Sequence, residues 1–318
     1  MAAPRRGELP PVAAAPILAP MKRQAAMALA LAGTLAASFI PASTGPVPVA
    51  GAEPEFATPT TLDRIGRILV PVTINGIGPF KMLVDTGANR TTITTTVAER
   101  LGIDYVNAPT IVLNGVTGSA SVPSVAIANM RAGDLVLDGI EAPVVQPHLI
   151  DGADGILGIA GLRDKRLIVD FKRDLVTISR SRYARADELR IRADRVVGGL
   201  LGAHVRIGHV RALAVIDTGA QKTLGNRALQ EALRADARTQ ATVYGTTEAT
   251  MIGDVAAVPD VTMDGTVFRH VVVTFGDLHI FDVWDLTDEP ALIIGMDVLG
   301  AMDTFTIDFR LAEIHLRS

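Results

Sequence analysis

The 318-residue sequence contains no cysteine, which excludes disulfides, thiol nucleophiles and cysteine-based zinc sites but leaves the compartment open. Aromatic residues make up only 4%, so Val, Ile, Leu and Ala must carry the core of a chain that is 48% hydrophobic. Charge of one sign is also scarce. The formal net charge is −4, and Lys and Arg form no long basic block, so neither nucleic acid nor an acidic lipid surface is implied as a partner. The six His residues include no HxxxH or HExxH pair, so no metal site is expected. No Gly-x-Ser-x-Gly elbow is present, which disfavours a serine hydrolase. Gly152, Gly155, Gly158 and Gly161 recur without a following Lys-Ser/Thr, so they read as tight turns rather than a phosphate loop. No cofactor is called for.

Long apolar runs are missing too, with one exception near the N-terminus. Met21-Lys22-Arg23 supplies a short positive region, residues 25–40 are apolar and uncharged, and small and turn-forming residues follow to Ala52. That is the layout of a secretory signal. The run falls short of the ~20 residues that span a bilayer comfortably. Export to the periplasm or the medium is therefore expected, with an uncleaved N-terminal membrane anchor as the alternative. Ala50-Gly51-Ala52 fits the small-x-small cleavage rule but stands far from the apolar run. Residues 1–20 precede what reads as the natural start.

What is present twice is Asp-Thr-Gly-Ala, at Asp85-Thr86-Gly87-Ala88 and Asp217-Thr218-Gly219-Ala220. By average residue usage a given tetrapeptide occurs by chance on the order of once in several hundred chains of this length. The similarity extends outward from both copies. Apolar triplets, Met82-Leu83-Val84 and Ala214-Val215-Ile216, precede each Asp as strands covered on both faces. A Gly-containing tight turn lies before each triplet. Short amphipathic helices are predicted after each Asp, over 94–101 and 226–234. Further on come Asp154-Gly155-Ile156-Leu157-Gly158 and Leu292-Ile293-Ile294-Gly295, then Val169-Asp170-Phe171 and Ile307-Asp308-Phe309, then closing strands over 175–179 and 313–316. Asp170 and Asp308 read as solvated or turn-bonded, and Trp284 as a core or cleft-wall aromatic. The expected organisation is a leader (1–60), a first lobe (61–182), a charged linker (183–194) and a second lobe (195–318), mainly β with a few short helices.

Duplication of an Asp loop carries chemistry. Two carboxylates about 3 Å apart cannot both ionise cheaply, so one keeps a proton. The ionised one can take a proton from water while the other protonates a carbonyl. Asp85 and Asp217 are the candidate pair. Thr86 and Thr218 offer hydroxyls that can bond across a pseudo-twofold axis. Gly87 and Gly219 let backbone N–H groups approach the carboxylates. Ile156, Leu157 and Gly158, with Ile293, Ile294 and Gly295, can pack under the two loops.

On these motifs the chain resembles the aspartic peptidases, within them the retropepsin-like group, over about 250 residues. The first support segment is more similar to the first lobe of pepsin-type enzymes, and the second, Ile293-Ile294-Gly295-Met296-Asp297-Val298-Leu299, to cellular retropepsin-like enzymes. The resemblance implies an acid-protease fold of two similar β-lobes, a peptide or protein substrate, and Asp85 and Asp217 as the catalytic pair. It also implies flap hairpins, with candidate tips at Asn114-Gly115-Val116-Thr117-Gly118 and Tyr244-Gly245-Thr246-Thr247. Tyr244 is either a substrate-facing flap residue or an ordinary strand tyrosine.

Departures from the family pattern matter. Ile159 and Met296 stand where retroviral enzymes carry a dimer-bracing Arg, and Ala88 and Ala220 stand where pepsin has Ser or Thr. The latter predicts a pH optimum less acidic than pepsin's. A single-chain monomer is favoured and a dimer is left open. Two rival readings stand: an inactive peptide-binding protein of the same fold, and a peptidase active only as an oligomer.

Overall fold

The computed structural model describes residues 56–59, 61–62, 66–133, 135–183 and 189–317. The expected signal segment and residues 1–20 lie outside the described residues. Among the described residues no helix is long and apolar enough to cross a membrane.

Each repeat begins with a hairpin whose turn is written in the sequence. Strand Ile68–Ile74 reverses at Asn75-Gly76 into strand Ile77–Val84, with Ile74 opposite Ile77. Both turn residues have positive φ, 50° and 80°, the backbone that a two-residue type I′ turn requires and that Asn-Gly tolerates best. In the second repeat strand Leu201–Ile207 reverses into Val210–Ile216, with Ile207 opposite Val210. Met82, Leu83 and Val84, like Ala214, Val215 and Ile216, are all buried, as befits strands covered on both faces.

The predicted helices form as Thr95–Arg100 and Arg227–Leu233. Thr94 Oγ1 accepts from Val97 N at 3.3 Å, and Asn226 Oδ1 accepts from Leu229 N at 2.8 Å. These caps satisfy amides that such short helices cannot bond internally.

A six-stranded antiparallel base joins the lobes. Its order is Phe56–Pro59, Leu175–Arg180, Lys165–Asp170, Thr304–Asp308, Glu313–Arg317 and Arg190–Arg195. At the centre, Lys165–Asp170 of one lobe pairs with Thr304–Asp308 of the other, Arg166 opposite Asp308 and Asp170 opposite Thr304. Leu167, Val169, Val176, Phe305, Ile307 and Ile314 leave this sheet for a core shared by both lobes. The molecule is mainly β, with two sheet-rich lobes and few short helices, as an acid-protease-like fold requires.

Two segments differ from expectation. Phe56–Pro59, assigned to the leader, pairs with Leu175–Arg180. Arg190–Arg195, of which all but Arg195 were assigned to the linker, lies between Glu313–Arg317 and Leu201–Ile207. Its side chains are mostly charged, and only Ile191 is fully buried. Main-chain pairing on both edges holds it, a force that leaves no hydrophobic period to read. Asp308 is turn-bonded, accepting from Leu311 N (3.0 Å), but fully buried rather than solvated, and it also accepts from the Ser181 hydroxyl (2.7 Å) and Arg182 N (3.2 Å). Asp170 is turn-bonded, accepting from Lys172 N and Arg173 N, both at 3.1 Å. Trp284 is buried edge-on to Phe281.

Candidate active site

Each Asp loop is fixed by a strand that passes through it. Ile77–Val84 runs parallel to Gly155–Leu157, and the chain returns on the far side as Thr92–Thr94, antiparallel to the same strand. Val210–Ile216, Ala291–Ile294 and Leu224–Gly225 repeat the arrangement. Asp85 N donates to Leu157 O at 3.1 Å, and Asp217 N to Ile294 O at 3.0 Å.

The glycine ending each support is dictated by space. A Cβ on Gly158 would run into the carbonyls of Arg90 and Ala88, and one on Gly295 into those of Lys222 and Ala220. The next residues close the loops, Ile159 N donating to Ala88 O (2.9 Å) and Met296 N to Ala220 O (2.8 Å). Gly158 N donates to Thr91 Oγ1 at 3.3 Å and Gly295 N to Thr223 Oγ1 at 3.2 Å. In the second lobe alone Asp297 adds a brace, accepting from the Thr223 hydroxyl at 2.8 Å.

The two loops then lock together. The Thr86 hydroxyl donates to Ile216 O (2.8 Å) and accepts from Thr218 N (3.1 Å). The Thr218 hydroxyl donates to Val84 O (2.7 Å) and accepts from Thr86 N (3.1 Å). Both threonines are buried, so four hydrogen bonds cross between the lobes in a buried setting where each is expensive to lose.

This lock brings Asp85 and Asp217 into side-chain hydrogen-bond contact. Gly87 lies against the Asp217 carboxyl and Gly219 against that of Asp85, too close for a Cβ at either position. Asp85 Oδ1 accepts from Gly87 N at 2.9 Å, and Asp217 Oδ1 accepts from Gly219 N (2.7 Å) and Ala220 N (3.1 Å). Burial pushes the Asp85 carboxyl well above the usual range, and the Asp217 charge adds to the effect. Burial also raises Asp217, opposed by the hydrogen bond from Asp85 and by the amides of Gly219, Ala220 and Gly87. Both carboxyls are thus raised, and the pair shares one proton rather than ionising twice.

The candidate flap tips join the pairs of strands Thr110–Asn114 with Ser119–Ala132 and Thr239–Tyr244 with Thr250–Ala257. The two tips meet. The Thr117 hydroxyl donates to Ala249 O at 2.6 Å, Gly115 lies against Thr246 and Thr247, and Gly245 lies against Val116 and Thr117. Tyr244 is exposed. Each tip is also held by a histidine of the opposite lobe. His279 Nε2 lies 3.3 Å from Asn114 Oδ1, and His148 Nε2 lies 2.9 Å from Glu248 Oε1. Ile280 N donates to Val116 O at 3.3 Å.

Sequence reasoning missed both histidines, along with Thr91 and Thr223, and it named Thr117, Thr247 and Asp297 only as members of the tip and support segments. A signal existed for several of them. His148 and His279 follow their Asp residues by 63 and 62 positions, and Thr91 and Thr223 each by six.

Two stretches of the chain, residues 70–160 and 203–298, each match the model of the aspartyl protease family. No curated protein matches the chain. The two matches span more than half of the sequence, and each holds one Asp-Thr-Gly-Ala loop with its apolar-apolar-Gly support. The chain thus belongs to the aspartyl protease family.

Proposed function

We propose that this protein is an aspartic endopeptidase that hydrolyses peptide bonds with water activated between Asp85 and Asp217. The observation that carries this reading is the meeting of two carboxyls from two lobes of one chain, Gly87 lying against that of Asp217 and Gly219 against that of Asp85 beneath the threonine lock. In the starting state Asp217 is ionised and Asp85 protonated. Asp217 takes a proton from water as the water oxygen attacks the scissile carbonyl carbon. Asp85 donates its proton to the carbonyl oxygen, giving a neutral gem-diol. Asp217 then passes its proton to the amide nitrogen, the C–N bond breaks, and a gem-diol hydroxyl returns a proton to Asp85. The products are a carboxylic acid and an amine, and the pair is restored without metal or covalent intermediate.

The substrate in this reading is an extended peptide bound between the Asp loops and the two hairpin tips, partly through its backbone. The four threonine hydrogen bonds close within one chain, which supports activity as a monomer. Export, directed by residues 21–52, completes the proposal.

The test is a diverse peptide library read by mass spectrometry, with a hydroxyl-containing peptide isostere as inhibitor. Cleavage at defined bonds, blocked by an isostere that also raises the melting temperature, is the expected result. No cleavage, with the isostere still raising the melting temperature, would favour an inactive peptide-binding protein of the same fold.

A further inference from the structure

The two lobes are joined twice. One junction is the base sheet with the threonine lock. The other is made by the hairpin tips, residues 114–118 and 244–249, through several independent contacts. The Thr117 hydroxyl donates to Ala249 O, Ile280 N donates to Val116 O, and His148 and His279 each hold the tip of the opposite lobe. Thr247 is buried at this junction.

The second junction is written into the sequence as glycine. A Cβ on Gly118 would lie 2.8 Å from Ala249 Cβ, one on Gly115 2.9 Å from Thr246 Oγ1, and one on Gly245 2.9 Å from Thr117 Oγ1. Two glycines in one tip and one in the other thus let the tips meet at a distance that a Cβ would forbid. Packing this close, over several contacts, marks a standing interface rather than two loops passing each other. Yet the Asp loops are not sealed. Asp85, Gly87 and Ala88 of one loop and Gly219 and Ala220 of the other keep part of their surface exposed while the tips are joined. Leu113, at the root of the first tip, packs against the same small apolar cluster as Ala88, which sets that hairpin beside the Asp85 loop.

We infer that the tips stay joined through turnover, so that the cleft is a passage open at its ends and its substrates are linear, unfolded chains that enter lengthwise by a terminus. This rests on the peptidase reading. An extended chain is narrow and repeats every two residues, so it can be drawn along such a passage. A loop displayed by a folded protein, or a closed ring, has no end to lead with. Selection is then by chain topology before side chain.

The absence of cysteine makes the test clean. Gly118→Cys combined with Ala249→Cys places two thiols within reach of a disulfide, whose Cβ atoms stand about 3.8 Å apart, and closure is read as loss of free thiol. The bridged and reduced forms of one sample are assayed on a linear peptide that the unaltered protein cleaves. In parallel the unaltered protein is given a peptide of about 30 residues containing the cleaved segment, both linear and closed head to tail, a ring roomy enough to present that segment extended. The bridged form should cleave the linear peptide within about two-fold of the reduced form. The ring should be cleaved at least about 100-fold more slowly than its linear counterpart. Loss of linear-peptide cleavage on bridging, restored by reduction, would overturn the inference and leave the peptidase reading standing. Ring cleavage any faster than that limit would do the same, and this arm needs no variant. Absence of any cleavage dependent on Asp85 in the unaltered protein would overturn both.

Discussion

At the scale of single residues, small changes are expected to have large effects because the site is tightly packed. Gly87 touches the Asp217 carboxyl and Gly219 that of Asp85. Gly87→Ala should therefore push the carboxyls apart and cut kcat at least about 100-fold, which steady-state kinetics would show. Thr86→Val removes a hydroxyl that both donates and accepts, orphaning Ile216 O and Thr218 N in a buried setting. Roughly 1–3 kcal/mol per orphaned group should be lost, while Thr86→Ser should keep most of it; chemical denaturation would separate the two.

The carboxyl pair also makes a stability prediction. Both folded-state pKa values are raised, Asp85 the more. The folded chain thus holds protons that the unfolded chain has released. The resulting stabilisation is complete below the ordinary carboxylate range and is lost as pH rises through the raised values. Asp85→Asn should melt higher than the unaltered protein at neutral pH, with the difference shrinking toward pH 4. A difference that does not change with pH would count against the shared proton.

At the scale of elements, the strand that threads each Asp loop controls the geometry. Gly295→Ala would drive a Cβ into the Lys222 and Ala220 carbonyls. A loss of about 1–3 kcal/mol or more is expected, with activity falling alongside. Elsewhere in the second lobe, Arg227 opens the helix Arg227–Leu233 and pairs with Asp254 of strand Thr250–Ala257 at 2.5 Å. The Arg227 hydrogen bond, with those of Gln240 and Gln230, lowers the Asp254 carboxyl to about 2. Its stabilisation is present above the ordinary carboxylate pKa and is lost as pH falls through that value. Arg227→Ala should return Asp254 toward the ordinary range in an NMR titration.

At the scale of the molecule, the repeat was legible where it is written in residue types and hidden where it is written in backbone. Asp-Thr-Gly-Ala and the apolar-apolar-Gly segments can be read directly, because Gly158 and Gly295 face carbonyl oxygens and no other residue fits. The Asn75-Gly76 turn was legible for the same kind of reason. The base sheet was only half legible. Phe56–Pro59 and Arg190–Arg195 occupy matching outer positions of the base, each paired along its main chain, yet they share no sequence pattern. The meeting of the hairpin tips was illegible, because it runs through a side-chain hydroxyl and a main-chain carbonyl, Thr117 and Ala249, that no repeated motif marks as partners. The matching places of His148 and His279 gain meaning only once the hairpins are seen to cross toward the opposite lobe.

Pairing of one carboxyl from each lobe within a single chain is tested most directly by Asp85→Asn and Asp217→Asn, assayed separately for peptide cleavage, with sedimentation of the same samples. Both variants should remain folded monomers and each should lose essentially all activity. Activity surviving in either one, or restored by mixing the two inactive variants, would contradict a catalytic pair formed in cis.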